Sequence, residues 1–336
     1  MRTFRALPIL LLLVSAAPAP DLVIVTDQAE AALHILAQRK AGRPPDEASW
    51  RRLFASEGYR RLQARETAMG RSFEDSSFRT FLLSDTLLAR EAALRTTLHA
   101  WRKSDLGRAR ARALAYLPSG TRIRARVYLL IKPRTNSFVF EADTDPAIML
   151  YLDPARTRAR LENTVAHELH HIGYASACHS PSDSAADSAV TQARGWLSAF
   201  GEGVAMLAAA GGPEVHPHAE SPARDRARWD GDLANAPEDV GKLESFLLDI
   251  LDRRVTDADS IGRAGMSFFG IQGPWYTVGW LMASTVERAE GRTALTGALC
   301  DPVELLRRYD AVARARRDPS LPVWSERLLA RLGGGD

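Results

Sequence analysis

Three of the chain's eight histidines fall within five residues, in the stretch TVAHELHHIGY from Thr164 to Tyr174. His167, Glu168 and His171 there spell His-Glu-x-x-His. On an α-helix each residue advances about 100°, so His167 and His171 lie about 40° apart and one turn apart along the axis. Two imidazoles placed this way can hold one tetrahedral zinc ion, and Glu168 beside them can take a proton from a water that the metal activates. Leu161, Val165, Leu169 and Ile172 fall within about 80° of one another on the other side, a buried stripe that turns the histidines outward. His170 is the extra imidazole. The i, i+3 pair it makes with His167 would leave Glu168 without its motif partner, so it is assigned to the rim or to the shell behind the ligands.

A hydrolytic zinc site takes three protein ligands and keeps a fourth position open. The best third ligand is Glu202, in RGWLSAFGEGVAMLAAAGG. Leu197, Phe200, Val204 and Leu207 make one apolar face of that helix, and Glu202 lies opposite with Ser198, Ala205 and Ala209. Gly201 and Gly203 flank it, a cost that a helix tolerates more readily where close approach to the metal helix is needed. His179 is a rival. A His-x-x-Gly-x-x-His continuation would require glycine and histidine where Tyr174 and Ala177 stand, and His179 misses by two residues. His216 and His218, in the loop that follows, are further rivals.

HELHH followed some thirty residues later by GEGVA resembles the gluzincin metallopeptidases, in which a glutamate on a following helix is the third ligand. The likeness extends to Tyr276, in the Tyr-x-x-Gly helix GPWYTVGW. More narrowly, the arrangement is similar to exported bacterial proteins described as zinc-dependent peptidases of unknown function. The resemblance implies a gluzincin-like core with one zinc per chain on His167, His171 and Glu202. It implies Glu168 as general base, Tyr276 as donor to the oxyanion, and a peptide or protein as substrate. One departure is Met206, where many gluzincins carry an aspartate that supports a zinc histidine. Two other classes stay open: a non-catalytic exported metal-binding protein, and a zinc hydrolase acting on a non-peptide amide or ester.

The elements that must position these residues can be read from the texture of the chain. Residues 21–117 carry apolar side chains at helical spacing in AEAALHILAQRKAG, EASWRRLFASEGYRRLQARETAMG and LAREAALRTTLHAWRK, with Asp46 as a helix N-cap. Pro118-Ser119-Gly120 marks a turn and a boundary. RIRARVYLLI, SFVFEA and AIMLYLD then read as about three short strands, a small antiparallel sheet over 122–153. SFVFEA or AIMLYLD could offer a free edge to an extended peptide. The metal helix spans 156–175 and the third-ligand helix 189–210, with loops at 179–188, 211–225 and 254–274. The expected fold is therefore mainly α with a small sheet (α+β), as a helical region 20–118 followed by a metallopeptidase-like domain 119–336.

Composition fits an ordinary globular protein: 46% hydrophobic, 25% charged and a net charge of +3. Only four of the 44 basic residues are lysine, and the arginines alternate with acids along the chain, a pattern of solvated faces rather than a nucleic-acid groove. MRTFRALPILLLLVSAAPAP has Arg2 and Arg5, an apolar run too short to span a bilayer and then small residues. This is the layout of a secretory signal peptide, residues 1–19, with cleavage after Ala16, Ala17 or Ala19. A periplasmic or secreted protein follows, with no stable membrane insertion after cleavage. In that compartment Cys178 and Cys300 form a disulfide or stay as two buried thiols, and the sequence supports both.

Overall fold

The computed structural model describes residues 21–178 and 187–333. The expected signal peptide, the rival ligand His179 and the last three residues lie outside them.

One four-stranded sheet lies among many helices, so the fold is α+β. Its strands are β1 (Leu22–Val25), β2 (Ala125–Leu130), β3 (Phe138–Phe140) and β4 (Ala147–Tyr151), in the order β1-β2-β4-β3. The three strands expected over 122–153 are present, but the sheet is mixed rather than antiparallel. β2 runs parallel to both β1 and β4, and only β3 is antiparallel, against β4. The fourth strand comes from a segment read as helical. Leu-Val-Ile-Val is a four-residue apolar run, too short to display a period, and only its distant partner reveals it as a strand. β4 is buried along its whole length, as a strand covered on both faces must be.

The helices before the sheet stand where the periodicity places them, in shorter pieces. Asp46 caps Glu47–Ala55 by accepting from the Ser49 amide at 2.7 Å. Ser56 then breaks what reads as one helix and caps Glu57–Ala68. The turn at Pro118 closes through a 3.1 Å bond from the Thr121 amide to the Pro118 carbonyl, with Gly120 at φ 84°. Likewise 254–274 is not a plain loop, since it contains the helix Ala258–Ser267.

Behind the sheet the metal helix, Arg158–Ala177, packs against Gly107–Leu114 and Gly201–Ala210. The last of these packs in turn on Pro274–Glu290. The disulfide alternative is the one realised: Cys178, just past the metal helix, is bonded to Cys300 with their Cα atoms 4.9 Å apart. No helix among the described residues is long and apolar enough to cross a membrane.

Candidate metal centre

The metal helix starts at Thr157, whose hydroxyl accepts from the Arg160 amide at 3.1 Å. Leu161, Val165, Leu169 and Ile172 are each at most 2% exposed, so the predicted stripe is the buried one. His170 joins them at 1% exposed and does not sit at the rim. Its Nε2 lies 3.2 Å from the Tyr116 carbonyl, so it fastens the helix to the chain before the sheet. Burial pushes its pKa down to about 3, which keeps the ring neutral.

The expected third-ligand helix is in fact two. Ser188–Leu197 ends in a 3₁₀ turn, Ser198–Phe200, and Gly201–Ala210 starts afresh with Glu202 in its first turn. From Gly203 to Ala210 this second helix is buried on every side, so the simple two-faced pattern does not hold. The close approach predicted at its glycines is real but goes elsewhere. A Cβ at Gly203 would lie 2.0 Å from the Trp280 amide nitrogen, and one at Gly279 2.5 Å from the Phe200 carbonyl. The helix of Glu202 is thus in backbone contact with the helix of Tyr276. Gly201 has open space around it.

These supports bring His167, His171 and Glu202 together. Glu202 Oε2 is 3.2 Å from Nε2 of each histidine, and the two Nε2 atoms are 3.0 Å apart. One ligand atom from each residue lies within 4.8 Å of the others. Glu202 Oε2 is buried without a hydrogen-bond partner, an orphaned acceptor that a cation among the three atoms would satisfy. A tetrahedral zinc with bonds near 2.0 Å would hold its ligand atoms about 3.3 Å apart, so the donor set fits such an ion.

The electrostatics sort the two glutamates. Burial raises Glu168 above the usual carboxylate range, although both histidines pull it back. Burial would raise Glu202 too, but His171 and His167 outweigh it and hold the carboxyl well below the usual range. His171 is the counterpart: burial lowers it, yet Glu202 carries it up to about 9.

Tyr276 stands at this centre rather than in the core with Trp275. Its ring stacks on His167 with centroids 6.3 Å apart and 12° between planes. Burial and then the Glu202 carboxylate raise its phenol. The two rivals for third ligand among the described residues fall outside the converging set: His216 pairs with Asp230 at 2.9 Å, and His218 packs on Trp229. His218 does reach the cleft in front of the metal residues, a space of about 260 Å³. Asn136, Arg156, Arg160 and Gln272 line it as well. None of these four has a local signature, because Asn136, Arg156 and Gln272 come from loops and turns, Arg160 from the first turn of the metal helix, and only the fold gathers them. Among the described residues no aspartate supports His167 in place of Met206: its Nδ1 is buried without a partner, and Met206 Sδ instead accepts weakly from Gln272.

Fold and site together define an α+β protein with a His-His-Glu constellation suited to zinc. The model of a family described as "putative zinc dependent peptidase" matches residues 50–318, well over half the chain, and the chain belongs to that family. No curated protein and no solved structure matches it.

Proposed function

We propose that the protein is an exported zinc-dependent peptidase that hydrolyses peptide bonds with Glu168 as general base. The observation that carries this is the convergence of His167, His171 and Glu202 on one point, with Glu168 beside them and Tyr276 against His167. A zinc ion held by the three ligands supplies Lewis acidity, polarising a carbonyl and lowering the pKa of water toward neutrality.

The chain's own groups do the rest. Glu168 takes a proton from the water that attacks the peptide carbonyl and passes it to the departing amine nitrogen, a role suited to a carboxyl raised above its ordinary range. Tyr276 donates its O–H to the carbonyl oxygen as that oxygen gains charge. Thr135, Asn136 and Ser137 line the cleft and run directly into β3, whose outer side is a sheet edge. An extended substrate can add to that edge by backbone hydrogen bonds. β4 cannot serve so, because β2 and β3 flank it. The leader-like first twenty residues and the Cys178–Cys300 disulfide support an oxidising compartment outside the cytoplasm.

Metal content by mass spectrometry, paired with a peptide-library screen, tests the reading. One zinc per chain, lost in Glu202→Ala, together with cleavage lost in Glu168→Gln, is the expected result. Full hydrolysis by Glu168→Gln would sink the base assignment, and a zinc-loaded protein that cleaves nothing would sink the peptidase.

A further inference from the structure

Among the described residues, three of the four arginines whose Nε is buried and unsatisfied are matched to acids, and one is not. Among the described residues, Nε of Arg61, Arg110, Arg156 and Arg308 is buried without a hydrogen-bond partner. Arg61 is nonetheless paired with Glu141 and Asp145, Arg110 with Asp21, and Arg308 with Glu290. No carboxylate among the described residues lies within salt-bridge distance of Arg156. Its one side-chain bond runs from Nη1 to the Thr164 hydroxyl at 3.0 Å. Taking a guanidinium from water without a counter-ion is costly, so such a group calls for an anion that the described residues do not provide.

Its place says where that anion would come from. Arg156 lies between β4 and the metal helix, on the wall of the cleft that also holds His167 and Glu168. Glu168 is the single acidic side chain on that wall among the described residues, and the work proposed for it is on a proton. Arg160, the second cationic group there, is already matched to Asp225 at 3.3 Å. On the same wall His218 is 6% exposed and its Nε2 is buried with no partner, while its Nδ1 sits 3.1 Å from the Ser221 hydroxyl. The cleft therefore presents an unmatched guanidinium and an unmatched imidazole nitrogen beside the reacting centre.

We infer that this cleft recognises a carboxylate of the substrate through Arg156, with His218 as a second polar contact. The inference rests on the peptidase reading for the ligand being a peptide. The carboxylate can be an acidic side chain or the peptide's own C-terminus, since a guanidinium grips both with the same pair of N–H donors.

Equilibrium binding by calorimetry to the zinc-free full chain tests it, because no carboxylate can then ligate a metal. The probes are an N-acetylated, amidated penta-alanine, the same peptide with a free C-terminus, and versions carrying glutamate or glutamine at each position in turn. At least one carboxylate peptide should bind about tenfold or more tightly than its neutral counterpart, and Arg156→Met should bring that ratio close to one. A glutamate preference assigns a side-chain carboxylate, and a free-terminus preference assigns the C-terminus. If Arg156→Met does not fold, Arg156→Lys decides, since it keeps the charge and loses the paired donors. The ratio should then drop about threefold or more. Equal binding of charged and neutral peptides, no binding of any of them, or a ratio unchanged in the variant would each overturn the inference. Peptides that bind with the predicted preference yet stay intact after zinc is restored would instead remove the peptidase reading and leave the carboxylate site standing.

Discussion

Two glutamates share one pair of histidines, and their surroundings push them in opposite directions. The imidazoles that Glu202 faces hold its carboxyl well below the usual range, as the proposed ligand role needs, whereas burial raises Glu168, as the proposed base role needs. Glu168→Gln should keep the zinc and lower kcat by about a thousandfold, a loss of proton transfer readable from parallel metal analysis and steady-state kinetics. Tyr276→Phe removes only an O–H. It should lower kcat by about tenfold or more while KM stays near its original value, because a donor to the developing oxyanion acts in the transition state. If KM alone rises, Tyr276 binds substrate and does not stabilise charge.

Helices carry these residues, and the tightest joint between them is Gly203 against Gly279. Gly203→Ala would drive a methyl group into backbone that cannot swing aside. It should cost about 3 kcal/mol in denaturant unfolding and also weaken zinc binding, since Glu202 is the adjacent residue. The helices before the sheet have a different sensitivity. Glu66 and Glu91 are each 5% exposed, and burial alone would raise both. Arg65 and Arg71 outweigh it for Glu66, and Arg95 and Lys40 for Glu91, so both carboxyls stay below their ordinary value of 4.5. A depressed folded pKa gives stability that is fully present above 4.5 and is lost as pH falls through the folded value. Melting temperatures should thus hold between pH 7 and 5 and drop below about 4, and Glu66→Gln should flatten that drop. The helices, the Asp46 cap and the strands β2 to β4 were legible from local signals: helical spacing of apolar residues, a capping residue before it, and short apolar runs bounded by turns. So was the metal helix, whose stripe and histidines lie within twenty residues. What stayed hidden depends on distant partners: the strand β1, the break before Glu202, the burial of His170 against Tyr116, and the arginine in the cleft. Gly203 does mark a close approach, but the sequence pointed it at the metal helix and the structure places it against the helix of Tyr276.

At the scale of the whole molecule, the ends of the chain are tied into the middle. The Cys178–Cys300 bond closes a loop of 122 residues that contains Glu202, Tyr276 and the Arg156-facing loop of His218. Replacing both cysteines by serine should cost about 2–5 kcal/mol of stability, measured by denaturant unfolding against the oxidised protein. An equal melting temperature with and without reductant would show that the bond contributes nothing. β1 makes the corresponding tie at the other end, and its strand partner is synthesised about a hundred residues later. The first strand to leave the ribosome therefore waits, unpaired and apolar, until β2 exists. Such long-range pairing slows folding, because the entropy of closing the loop is lost before any contact repays it. Under the export proposed above, that delay would keep the chain open enough to be threaded across a membrane, with its sheet closing only on the far side.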